Sequence, residues 1–107
     1  MAAYLGEFEQ LVLLAVLRLE DGATGGAIRD AVAEGSRRTV WIGAVHTTLD
    51  RLELKGLVRS RAVPTPTARG GRRKIFALQP AGRAAIAQAY GTWTRMTQGL
   101  RPELESS

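Results

Sequence analysis

The sequence predicts an α+β fold, mainly α: three helices, a two-stranded hairpin and a closing helix. Three observations carry this. Four segments place apolar residues at spacings of three and four, the signature of a helix buried on one side. Two short extended runs, 57–63 and 73–78, flank a stretch that holds two prolines and two glycines. The 107 residues are 45% apolar and 23% charged, the balance of one globular domain with a modest core.

The first helix reads from "GEFEQLVLLAVLRLEDG". Phe8, Leu11, Val12, Ala15, Val16 and Leu19 form a wide stripe, so the helix is expected to be central. Glu7 and Glu9 suit its N-terminal end, and Gly22 is the expected stop. A second helix follows in "TGGAIRDAVAEG", with Thr24 as N-cap, an apolar face of Ala27, Ile28, Ala31 and Val32, and Gly35 as stop. Thr39, Val40 and Trp41 read as a short extended piece, with Trp41 a core or edge aromatic.

The third helix, 43–55, has Val45, Leu49 and Leu52 on one face. Ala44, Thr47, Thr48 and Arg51 form another face, small and polar at its start and free of carboxylates, as a helix seated in a DNA groove requires. Gly56 ends it. The hairpin loop "PTPTARGGR" carries arginines at its tip. The closing helix opens with Pro80 and carries a heptad-like seam of Ile86, Tyr90, Trp93, Thr97, Leu100 and Leu104, which asks for a partner surface. Pro102 is expected to end it, giving three regions: 1–79, a helix over 80–101, and a disordered tail over 102–107.

Charge divides unevenly. Residues 1–34 carry two basic and six acidic residues, net −4; residues 35–83 carry eleven and two, net +9; residues 84–107 carry two of each. So polarised a block marks an electrostatic footprint for nucleic acid or an anionic surface. Membrane association is disfavoured: no apolar run approaches the ~20 residues of a span. The start "MAAYLGEFEQ" lacks the basic segment of a secretory signal.

The chain has no cysteine and one histidine, His46, so disulfides, thiolate metal sites and histidine clusters are excluded. A cytoplasmic location follows as an expectation. No cofactor or metal is expected, and no enzyme activity. Asp50 and Glu53 lie three apart, but pairing with Arg51 or Lys55 is their expected use.

The order of elements is that of a winged helix-turn-helix domain, 1–79, followed by a C-terminal dimerisation helix, 80–101. In such a domain the third helix enters the major groove and the hairpin, or wing, reaches a neighbouring groove or backbone. Basic residues on a glycine-containing tip can follow phosphates, and released counterions supply affinity.

Here the chain resembles a known family. "LGEFEQLVLLAVLRL", "GAVHTTLDRLELKGLV", "GGRRKIFAL" and "PAGRAAI" are similar to PadR-type transcriptional regulators, over about residues 5–98, in the short subgroup with one helix after the wing. The resemblance implies a homodimeric winged-helix repressor that binds double-stranded operator DNA. Its DNA-facing residues would be Arg37, Arg38, Thr39, Gly43, Ala44, His46, Thr47, Thr48 and Arg51, with Arg69, Gly70, Gly71, Arg72, Arg73 and Lys74 in the wing. Dimerisation would use Ile86, Tyr90, Trp93, Thr97 and Leu100.

"AYGTWTRM" is similar to the stretch of multidrug-responsive members in which a tryptophan stacks on flat aromatic ligands. Tyr90, Trp93 and Thr97 would form that site, and a planar aromatic small molecule is the implied ligand. Trp93 is also readable, and more readily, as a buried interface anchor. Three positions depart from the family pattern: His46 stands where tyrosine is usual, Gly25-Gly26 where a Tyr-Gly pair is usual, and Gln79 where a capping threonine is usual. A second reading stays open, an interaction module that uses the same scaffold to bind protein without a specific DNA target.

Overall fold

The computed structural model describes residues 4–64 and 72–106. Its elements run α1 (Glu7–Leu19), a 3-10 turn (Glu20–Gly22), α2 (Gly25–Ser36), α3 (Ile42–Leu54), β1 (Val58–Pro64), β2 (Arg72–Leu78), α4 (Pro80–Thr97) and α5 (Arg101–Glu105). This is the mainly helical fold with a two-stranded antiparallel wing that the sequence predicts.

α1 is the central helix. Val12 and Leu13 are fully enclosed, Ala15 and Val16 nearly so, and Phe8, Leu11 and Leu19 pack at the margin. Leu13 lies outside the sequence stripe; it is buried because neighbours cover α1 on more than one side. The helix stops at Leu19, before Gly22, and Glu20 takes a positive φ of 52°. Thr24 caps α2 as expected, its Oγ1 accepting the Ala27 N–H at 3.2 Å. Gly35 does not end α2. A helical glycine costs only about 1 kcal/mol, and the chain runs on to Ser36 before Arg37 leaves in the left-handed region at φ 57°.

Residues 39–41 form no strand, a correction to the expected extended piece. Val40 alone turns inward, and Trp41 becomes the N-cap of α3, 75% exposed rather than core. The added pairing comes from elsewhere. Thr24 bridges Ile75, and the Phe76 N–H donates to the Ala23 carbonyl at 2.9 Å, so the start of α2 is tied to the wing.

The wing register pairs Val58 with Leu78 and ends at Pro64 opposite Arg72. Proline is tolerated at this terminal position of the strand. Val58 and Phe76 are buried on one face and close the core from the wing side.

α4 begins with Pro80 after Gln79, which makes no side-chain cap, as the long amide side chain of a glutamine leads one to expect. Gly82 permits a close approach here. A Cβ at this position would collide with the Leu57 carbonyl oxygen, the same oxygen that accepts the Gln79 N–H at 2.9 Å. α4 ends at Thr97, four residues short of the expected 101. Gly99 turns the chain at φ 82°, and the segment expected as a disordered tail holds α5. A proline near a helix start lacks only an N–H that has no partner there, so Pro102 opens α5 rather than ending α4.

Candidate nucleic-acid interface

α3 has two faces set by its period. Val45, Thr48, Leu49 and Leu52 form the buried stripe at i, i+3, i+4 and i+7. Thr48 is only 5% exposed, which corrects its assignment to the DNA-facing set. A small β-branched side chain between Val45 and Leu52 fills core volume as well as valine does. The open face carries Gly43, Ala44, His46, Thr47 and Arg51 of the expected set. It also carries Asp50, so it is not free of carboxylates. Arg37, Arg38 and Thr39 are exposed at the turn into α3. Arg38 pairs with Glu7 at 3.1 Å, both side chains open to solvent, an ion pair weak enough to yield to a phosphate.

α3 is braced at its C-terminal end. Lys55 reaches back to Glu9 on α1, Nζ to Oε2 at 2.8 Å, while Glu9 Oε1 accepts the Gly6 N–H at 3.0 Å. Burial pushes the Glu9 carboxyl up. The Lys55 bond, the Gly6 N–H and the charges of Lys55 and Arg51 outweigh that and hold it below the ordinary glutamate value. Lys55 therefore serves α1, and Glu53 instead accepts the Ser60 hydroxyl at 3.0 Å, where pairing within α3 was expected of both.

On the wing, Arg73 and Lys74 are exposed, and strand alternation sends them to opposite faces. Arg69, Gly70 and Gly71 lie outside the described residues, and Arg72 opens β2. Sequence reasoning missed Arg59 and Arg61. The register places both on the same face as Arg73, and both are exposed. Their alternation with Ser60 was the available signal. They share a shallow cleft of about 330 Å³ with Glu20 and Asp21, so the base of the wing is partly neutralised.

α4 divides along its length. Ile86 is 5% exposed and packed into the core of its own chain, which corrects its assignment to the dimer seam. Tyr90 and Trp93 are 72% and 64% exposed. A depression of about 300 Å³ runs between them and Leu11 and Leu14 of α1, with Glu7 and Gln10 at its polar edge. A second, of about 320 Å³, lies between Trp93 and Leu5 on the other side. Thr97 spends its hydroxyl proton on the Trp93 carbonyl at 2.7 Å. It has only lone pairs left to offer a ligand. Leu100 follows the break at Gly99, so the heptad seam is not one continuous helix.

The family described as "Transcriptional regulator PadR-like family" matches residues 13–88, from the middle of α1 to the middle of α4. The chain belongs to this family. Solved structures agree with the PadR fold. A PadR family transcription regulator from hypervirulent Clostridium difficile is 25% identical, over 92% of this chain and 99% of that one, with a TM-score of 0.70. A Streptococcus transcriptional regulator is 23% identical, over 89% of each chain, with a TM-score of 0.71. The Aeropyrum pernix ORC1 protein in complex with DNA is 28% identical, over 78% of this chain and 24% of that one, with a TM-score of 0.63. No curated protein matches.

The PadR assignment makes the chain a transcriptional regulator with a DNA-binding winged helix. Among the described residues no group of acidic and histidine side chains could hold a metal ion, and no helix is long and apolar enough to cross a membrane.

Proposed function

We propose that this PadR-like regulator is a homodimeric repressor that reads a specific DNA sequence and is released by a planar aromatic compound. The observation that carries the reading is a division of the surface. The open face of α3 and the wing carry the basic groups, with Trp41, Ile42 and Leu54 exposed only at the two ends of α3, whereas Tyr90, Trp93 and Met96 gather as exposed apolar side chains on α4. A contiguous apolar face on a soluble chain calls for a partner. A second copy seated on α1 and α4 would bury it and fix the separation of two α3 helices, which must match half-sites about one helical turn, ~34–36 Å, apart. A flat compound stacked on Trp93 would act only in proportion to its preference for a dimer of different spacing.

The test is fluorescence anisotropy with the DNA immediately upstream of the protein's own coding sequence, against a shuffled duplex of equal length, across a salt series. A preference of about a thousandfold or more for the upstream DNA is the expected result for an autoregulating repressor. Replacing Arg73 and Lys74 by alanine should flatten the salt slope by about two phosphates' worth. The exposure of Trp41, the N-cap of α3, and of Leu54, its last residue, 75% and 90%, favours a second reading, a protein-binding module. That module would bind both duplexes equally and weakly.

A further inference from the structure

His46 and Gly25 are 21 residues apart in the chain and meet at the junction of α3 with the first turn of α2. A Cβ built on Gly25 would stand 2.7 Å from His46 Cε1, 3.3 Å from Nε2 and 3.5 Å from Nδ1. The imidazole therefore occupies the volume that a side chain at residue 25 would claim. Gly25 is itself buried, while His46 stays open to solvent on the same face of α3 as Gly43 and Thr47. Neither residue needs the other for the core, because His46 lies outside the buried stripe.

We infer that Gly25 is a positioning residue for DNA recognition: its missing side chain seats the His46 ring, and the seated ring contacts the DNA. The inference rests on the DNA-binding reading. A helix leaves two comfortable χ1 wells, since the third drives the side chain into the preceding turn. A methyl group at residue 25 removes the present seat. It meets the far end of a side chain and not backbone, so the ring moves and the helices need not. Glycine at the first position of α2 has no positive φ, so alanine fits its backbone. Gly25→Ala should leave the melting temperature unchanged or raise it slightly, because alanine is the better helix former.

The experiment is a double-mutant cycle on DNA affinity and on base preference. The probe is the duplex that the wild-type chain itself enriches from a random-sequence library. Gly25→Ala and His46→Ala should each weaken binding about tenfold, the size of one lost directed contact. The double variant should be no weaker than either single one, because the methyl group acts only through the ring. Libraries selected by the two single variants should relax at the same base positions.

Affinity losses that multiply to about a hundredfold in the double variant would overturn the coupling. Full affinity in His46→Ala would overturn the contact itself. A wild-type chain that enriches no sequence would overturn the DNA reading, and this inference with it. An intact melting transition in each variant separates all three outcomes from a failure to fold.

Discussion

The two halves of α4 are one helix with two fates. Its first turns, holding Gly82, Ala85 and Ile86, are buried against the chain's own loop and core. Its later turns hold Tyr90, Trp93 and Met96, 64–72% exposed. Both halves show apolar residues at the same spacing, so periodicity alone merges them into one seam. Packing separates them, because the core of a domain this size ends where α4 runs past α1. The principal-axis extents of 53 × 32 × 20 Å reflect that elongated shape. The buried half is fixed by sterics, while the exposed half leaves its apolar side chains open to solvent.

The sharpest way to break the contrast is Gly82→Ala. The added methyl would press on the Leu57 backbone, which has no rotamer to yield. We expect a loss of about 3 kcal/mol and a melting temperature lower by roughly 15 °C. The same change at Gly91, in the exposed half, meets only the Arg95 guanidinium at 3.3 Å and should be nearly neutral or stabilising. Equal thermal shifts at the two glycines would remove the distinction.

The next largest effect is functional. Trp93→Ala should leave the melting transition of the chain unchanged, since the side chain is 64% exposed, while abolishing binding of planar aromatic dyes. Dye titration followed by fluorescence checks this, and undiminished binding would end the role of Trp93 as a stacking platform.

The smallest effect concerns Glu9, which ties the well-packed α1 to α3 through Lys55. Its carboxyl is held below the ordinary value, so it adds stability above that value and loses it as pH falls through the folded-state pKa. Glu9→Gln should cost about 1–2 kcal/mol at neutral pH, since a charged hydrogen bond is lost from a mostly buried site. The gap to the wild type should close as pH falls below the folded-state pKa of Glu9, where both side chains are neutral. Urea midpoints at neutral pH and along an acid series measure this. A gap that persists in acid would mean that packing, not charge, is what Glu9 supplies.

The three departures from the family pattern show where reading by position stops. Gln79 behaves as its residue type predicts and leaves α4 without a side-chain cap. His46 and Gly25 look unrelated in the chain, yet the imidazole stands where a Cβ on residue 25 would lie. Thr48 shows the opposite failure. Its polarity suggested a groove-facing residue, but the helical period places it between Val45 and Leu52, and burial follows period rather than polarity.

The sequence by itself determined the order of the four main helices and the two wing strands, the Thr24 cap, the stop at Gly56 and the basic block around the wing. These are local matters of period, turn chemistry and charge, and each is written within a few neighbouring residues. The tertiary structure alone decided which side of α4 belongs to the core, why residue 82 must lack a side chain, that Lys55 serves α1, and that Arg59 and Arg61 share a face with Arg73. Those depend on which surfaces meet, and the meeting of residues far apart in the chain leaves no mark in the local pattern of either one.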